Sequence, residues 1–287
     1  MSTLIDLRRR IKSVRNSQQI TQAMKTVSTA KFKKAQRVVL ESRPFWHTYP
    51  DLVGHVAGWL GDGNHPLLAK REEKKVECLV ITSDKGLCGA FNSNLLERTS
   101  SFLEEKAAQA EVRIIVIGKK ALHFFKKKDY PIDQAYADRV EKLSQEVLRG
   151  IAQFLIELYV LNQTDAVYII YNEFKSILAP RITITRLLPV SLPAAEKTAG
   201  FLPPDWDPEV RAILNSLLPL YVENQVLHSF FESQAAEQAA RMMAMENATK
   251  NAEDLISDLV LLLNKIRQAG ITKELLEIMT AVEELGK

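Results

Sequence analysis

The residues whose types and spacing come closest to chemistry lie in one glycine-bearing segment, Thr82-Ser83-Asp84-Lys85-Gly86-Leu87-Cys88-Gly89-Ala90-Phe91-Asn92. Glycines between a strand and a helix can let the backbone approach a phosphate. A thiol near a cation can be activated as a nucleophile. Gly86 and Gly89 stand three apart, which fits neither GxGxxG nor GxxxxGK[ST] and lacks the paired lysine of the latter. A tight turn against a neighbouring surface is favoured over a nucleotide site. Cys88 lies close to Asp84 and Lys85, but no histidine is near it in sequence, so a small turn residue is favoured over an activated thiol. His47, His55 and His65 flank Trp46 and Trp59 at spacings of eight and ten, which does not put them on one helix face as metal ligands. Spacing supports no acid–base pair or triad. The expectation is a chain with no catalytic residue, no cofactor and no metal site.

The elements that would carry this turn are legible around it. Val76 to Thr82 (VECLVIT), Val112 to Gly118 (VRIIVIG) and Ala166 to Tyr171 (AVYIIY) are short apolar runs of the kind buried on both faces of a parallel sheet. Between them, Asn92 to Ala110, Lys119 to Lys127 and Val140 to Leu161 read as helices. Strand and helix in alternation predict a doubly wound α/β layer. Arg181 to Leu188 (RITITRLL) alternates cleanly and adds a final strand, with an antiparallel setting open.

Both ends of the chain read as long helices. Leu4 to Leu40 holds no Pro and no Gly, and a helix over that stretch would be roughly 55 Å long. Pro44, Pro50, Gly58, Gly61, Gly63 and Pro66 mark where it must bend or finish. At the other end Asp207-Pro208-Glu209 combines a capping Asp, a first-turn Pro and an acid near the positive end of the helix dipole. Apolar residues then recur by fours and threes at Ile213, Leu217, Leu220, Leu227, Phe231, Ala235, Met242, Met245, Ala252, Ile256, Leu259, Leu263 and Ile266, the pattern of a coiled-coil face. Pro219 would kink it near its base, and Ala236, Ala240, Ala244, Ala248 and Ala252 form a ridge of small side chains. The phase slips at Gly270 and resumes at Ile271, Leu275, Ile278, Val282 and Leu285.

Composition fits a folded protein: of 287 residues, 46% are hydrophobic and 25% charged. No apolar run approaches the roughly 20 residues of a membrane span, and the opening MSTLIDLRRR does not read as a signal peptide. Two cysteines, Cys78 and Cys88, fit a reducing cytoplasm. Residues 1–40 carry ten Lys/Arg and one acid, and residues 208–287 seven Lys/Arg and twelve acids. The two ends are electrically complementary, which makes them natural antiparallel partners. The fold class read from all this is α/β, with a long antiparallel coiled coil of N- and C-terminal helices and a central Rossmann-like domain. An intermolecular homodimer coiled coil remains the alternative.

Three segments resemble the gamma subunit family of F-type ATP synthases, the central rotor shaft. They are the basic opening helix RRRIKSVRNSQQITQAMKTVSTAKFKKAQ (Arg8 to Gln36), the turn SDKGLCGAFN (Ser83 to Asn92), and the stretch from Leu217 to Ile278 that contains ESQAAEQAARMMAMENATKN and RQAGITKE. The resemblance implies a shaft helix over 1–60, a Rossmann-like domain over 70–200 and a second shaft helix over 207–287. It implies torque transmission inside a ring of three alpha and three beta subunits, with catalysis on beta, and a foot held by the epsilon subunit and the ring of c subunits. It places Met24, Lys25, Arg267, Gln268, Thr272 and Glu274 at the level of the beta catch loops, and Leu275, Ile278, Val282 and Leu285 in an apolar upper bearing. The central turn enters through Ser83, Asp84, Gly86, Leu87, Cys88, Gly89 and Asn92. The location implied is the cytoplasmic face of a bacterial plasma membrane, peripheral and held only through the complex. This sequence departs from the family pattern at Thr26, at Ala236 and in its MTAVEELGK tail.

Two other classes compete. The basic N-terminal arm could bind nucleic acid, although Phe32 is its one aromatic before Phe45, which leaves little for base stacking. The sheet alone could belong to a Rossmann-type enzyme with a helical dimerisation arm.

Overall fold

The computed structural model describes residues 4–59, 65–138, 140–176, 180–191 and 210–285. Helix α1 spans Leu4–Trp59. Strand β1 (Lys75–Ile81) leads through the turn to α2 (Phe91–Ala107), β2 (Glu111–Ile117), α3 (Lys119–Lys127) and β3 (Ile132–Tyr136). Helix α4 (Gln145–Val160), β4 (Ala166–Glu173), β5 (Arg181–Leu188) and α5 (Val210–Leu285) complete the order. The three apolar runs are β1, β2 and β4, mutually parallel, and β5 closes the edge antiparallel to β4. The sheet order is β3-β2-β1-β4-β5. Strand β3 was not anticipated: Ile132-Asp133-Gln134-Ala135-Tyr136 is an edge strand with alternating exposure, and it has no apolar run to mark it. The stretch expected as helix from Val140 begins with a 3-10 turn at Val140–Lys142. The α-helix starts only after Ser144, whose hydroxyl caps the Val147 amide.

Each strand face has its own core because successive side chains alternate. Val76, Cys78 and Val80 of β1 pack with Leu95 and Leu103 of α2 and Phe125 of α3. Leu79 and Ile81 face the other way, toward Leu148, Ile151 and Leu155 of α4, Val53 and Val56 of α1, and Leu218, Val222 and Val226 of α5. That second core explains why α1 does not stop at Pro44 or Pro50. Each proline forfeits a backbone hydrogen bond, but Trp46, Tyr49, Val53 and Val56 are buried just there.

Helix α5 is continuous for 76 residues through Pro219 and Gly270, so Gly270 marks the slip in pattern and not an end. Its expected start at Asp207-Pro208-Glu209 lies outside the described residues. The apolar seam is corrected at its base. Leu214, Leu218, Val222, Val226 and Phe230 are the deeply buried positions, while Leu220 is exposed. Steps of four, not alternating fours and threes, are what a helix lying on a sheet buries here, since no supercoil is needed to keep one stripe against a layer.

The chain divides into two compact units, Thr29–Arg241 and the pairing of Met1–Ser28 with Met242–Lys287. In the second, α1 and α5 run antiparallel: Leu7 and Ile11 pack on Leu259, and Thr249 donates to Thr21 at 2.8 Å. Within the first, Tyr49 bonds the Leu217 carbonyl while Arg43 meets Glu232, so the two helices are antiparallel there too.

Candidate functional site

The turn after β1 sits where α/β sheets ordinarily receive ligands, outside the carboxyl ends of the strands at the point where their order reverses. In this sheet that point lies between β1 and β4. Its oxygens are already engaged as acceptors. Asp84 Oδ1 accepts the amides of Lys119 and Asp138, each at 3.0 Å, and Oδ2 accepts that of Val140 at 2.9 Å. Thr82 Oγ1 takes the Ala121 amide at 3.0 Å, and the Ser83 carbonyl takes that of Lys120 at 3.2 Å. The start of α3 is thus filled by the chain's own oxygens, and at the start of α2, the helix that follows this turn directly, the Phe91 amide donates to the Cys88 carbonyl at 3.3 Å. Asn92 closes the other side, accepting from the Ser83 amide at 3.1 Å and donating to Ser83 Oγ at 2.8 Å and Cys88 Sγ at 3.1 Å.

Close approach demands glycine behind this turn. Gly118 has φ +104°, and a Cβ there would lie 2.4 Å from the Thr82 carbonyl oxygen. Gly89 has φ +58° and Leu87, on the exposed crest, has φ +62°. Burial pushes the Cys88 thiol up, and the nearby Arg241 only partly opposes this. Cys88 is a buried packing residue whose surroundings disfavour the thiolate. His55 is exposed with Nδ1 2.7 Å from the Asp51 carbonyl oxygen, and His65 caps the 3-10 turn at Pro66–Leu68. The His47 side chain lies outside the described residues.

What the turn does meet is α5. Arg241 donates to the carbonyls of Lys85 and Gly86, both at 3.3 Å, and its Nη1 lies 2.7 Å from Glu237 Oε1. Burial raises the Glu237 carboxyl pKa and Arg241 pulls it back. One turn of α5 earlier, Glu232 holds the chain just past β4. Its carboxylate accepts the Phe174 amide at 2.9 Å and Arg43 Nε at 3.2 Å, and Arg43 Nη2 donates to the Phe174 carbonyl at 2.6 Å. Side chains of a single helix therefore engage the chain beyond both strands that flank the switch point. Sequence reading did not single out Arg43, Glu232, Glu237 or Arg241. The available signal was the spacing of Glu232, Glu237 and Arg241 among small residues in ESQAAEQAAR.

The other named residues fall in the paired-helix unit, at two levels. Lys25 Nζ is 3.0 Å from Glu246 Oε1, with Met24 half-buried beside it. Arg267 follows Glu246 by 21 residues, roughly 30 Å along a helix axis, so the structure does not bring Lys25 and Arg267 together. Arg267, Gln268, Thr272 and Glu274 are exposed, and the Thr272 hydroxyl donates to the Gln268 carbonyl at 3.0 Å. Leu275, Ile278 and Val282 are exposed as well. The side chain of Leu285 lies outside the described residues.

A family model described as ATP synthase matches residues 3–285. The ATP synthase gamma chain of Pelotomaculum thermopropionicum is 45% identical over 279 residues, covering 97% of this chain and 98% of the relative. That of Desulforamulus reducens is 42% identical at the same coverage. Among solved structures, a chain of the central stalk and c-ring of the Tetrahymena thermophila mitochondrial ATP synthase is 25% identical with a TM-score of 0.60, covering 80% of this chain and 99% of that one. A chain of the Euglena gracilis mitochondrial ATP synthase shares the fold at 22% identity, with a TM-score of 0.67 and coverage of 98% and 94%.

Proposed function

The chain belongs to the ATP synthase family as a gamma chain, and we propose that it turns as the asymmetric central stalk within a ring of alpha and beta subunits. In this reading it couples proton flow through the membrane sector to ATP synthesis or hydrolysis on the beta subunits and carries no catalytic group of its own. The partners are alpha, beta, epsilon and the ring of c subunits, and nucleic acid is not among them. The shaft helices take 1–60 and 207–287, and the Rossmann-like domain takes 70–200. No helix among the described residues is long and apolar enough to cross a membrane. Attachment through the complex, at the cytoplasmic face of a bacterial plasma membrane, accords with that and with bacterial relatives at 40–45% identity.

The observation that carries the reading is α5. It is one helix of 76 residues, bonded to the α/β unit by Glu232 and Arg241 and continuing without a break into the antiparallel pair. A rotor needs a continuous element of this kind. It also needs a surface that differs around its axis, so that three equivalent sites meet different faces and are biased toward different conformations. In this reading the contact with the beta subunits is made at two levels, by Met24 and Lys25 and, farther along, by Arg267, Gln268, Thr272 and Glu274. The exposed Leu275, Ile278 and Val282, with Leu285, supply an apolar bearing in which nondirectional contact permits sliding. The test is reconstitution. Membranes lacking a gamma chain should regain ATP-driven proton pumping when supplied with this chain and its cognate subunits, and continued absence of pumping in an assembled complex contradicts the proposal.

A further inference from the structure

Helix α5 is fixed to the α/β unit by two carboxylate–guanidinium joints as well as by apolar packing. At the first, Phe174 has both backbone groups engaged: its amide donates to Glu232 of α5 and its carbonyl accepts from Arg43 of α1, while those two side chains bond each other at 3.2 Å. Glu232 is 1% exposed. Phe32 of α1 adds an edge-on ring contact to Phe174 at 5.4 Å. At the second, the buried pair Glu237–Arg241 holds the carbonyls of Lys85 and Gly86. The joints lie past the ends of β4 and β1, so the sheet is held at two separate points.

Buried ion pairs are a poor source of net stability, because desolvation offsets much of their attraction. Leu214, Leu218, Val222, Val226 and Phe230 of the same helix already bury a full apolar stripe on this unit. What leucines do not supply is direction. Apolar contact tolerates sliding and rotation, whereas hydrogen bonds to fixed backbone groups weaken steeply when displaced. We propose that Glu232 and Arg43, closed on Phe174, are positioning residues that stop α1 and α5 from turning against the sheet, so that rotation of the α/β unit is delivered to the helices without slip. This rests on the central-stalk reading, and the Glu237–Arg241 joint acts in the same sense at the other strand.

The experiment uses the complete complex in membrane vesicles carrying Glu232→Gln, with ATP hydrolysis and ATP-driven proton pumping measured on the same preparation. Glu232→Gln keeps shape and removes the charge that holds Arg43. Assembly and hydrolysis should persist while protons pumped per ATP fall below those of the unsubstituted complex, a partial loss because the Glu237–Arg241 joint stays closed. A purely structural role would lower thermal stability or yield and leave pumping per ATP unchanged, and that result overturns the proposal. Should Glu232→Gln fail to assemble, Arg43→Lys is read instead. It retains the counter-charge for Glu232 but does not reach Phe174 as well, and unchanged pumping per ATP in it overturns the proposal equally. An unsubstituted complex that assembles and hydrolyses ATP but pumps no protons contradicts the central-stalk reading itself. Pumping in that control with no change in either variant contradicts the joint alone.

Discussion

Lys25 Nζ lies 3.0 Å from Glu246 Oε1 across the antiparallel helix pair, so the cation expected to face a partner is met by a carboxylate of its own chain. Both side chains are substantially exposed. The pair is therefore worth at most about 1 kcal/mol and is screened by salt. Glu246→Gln should shift the denaturant stability of the purified chain by less than about 1 kcal/mol, a difference that shrinks further at high salt. A loss several times larger would mean that the pair is part of the fold and is not free to exchange partners during rotation.

Arg267 and Gln268 are exposed on α5, so replacing both with Ala should leave the chain folded and the complex assembled. Proton pumping per ATP should fall by about two- to tenfold, as befits a few surface polar contacts of up to about 1 kcal/mol each. Unchanged pumping per ATP would remove both residues from the mechanism.

Leu259 is buried against Leu7 and Ile11, whereas Leu261 on the same helix is 69% exposed. Leu259→Asp forfeits an apolar contact and buries a carboxylate, a cost of about 3 kcal/mol or more, and should block assembly. Leu261→Asp should be nearly neutral in the same melting and assembly measurements. Equal behaviour of the two would contradict the register of the helix pair.

How far the fold was legible follows from where apolar pattern decides structure. β1, β2 and β4 are largely buried on both faces, so Val76 to Thr82, Val112 to Gly118 and Ala166 to Tyr171 stood out as short apolar runs, broken only by Glu77 and Arg113. Edge strand β3 alternates, with Asp133 and Ala135 exposed, and left no such mark. The helical continuation through Pro44 and Pro50 depends on Trp46, Tyr49, Val53 and Val56 finding a core made by distant segments, which local propensity does not encode. The candidate turn was legible as a turn, but its partner was not. Arg241 reaches Lys85 and Gly86 from more than 150 residues away in sequence, and nothing in spacing links them.

Glu77 lies in β1 with a side chain 2% exposed, and its Oε1 has no hydrogen-bond partner among the described residues. Burial first, then Asp133, pushes its carboxyl up to about 8, with Arg113 opposing. Because the folded value lies above the unfolded one, its contribution to stability is complete below pH 4.5 and is lost as pH rises through about 8. Urea melts at pH 5, 7 and 9 should show stability falling by up to about 1.4 kcal/mol per pH unit from this group, and Glu77→Gln should flatten that slope. An unaltered slope in the variant would place the titration elsewhere.

The central claim is that this chain is the single stalk of a multisubunit ATPase, and stoichiometry tests it most directly. Native mass spectrometry of the particle that co-purifies with the chain at natural expression should find one copy alongside three copies each of two larger ATPase subunits. Recovery of the chain as a homodimer, or bound to nucleic acid, would contradict the account.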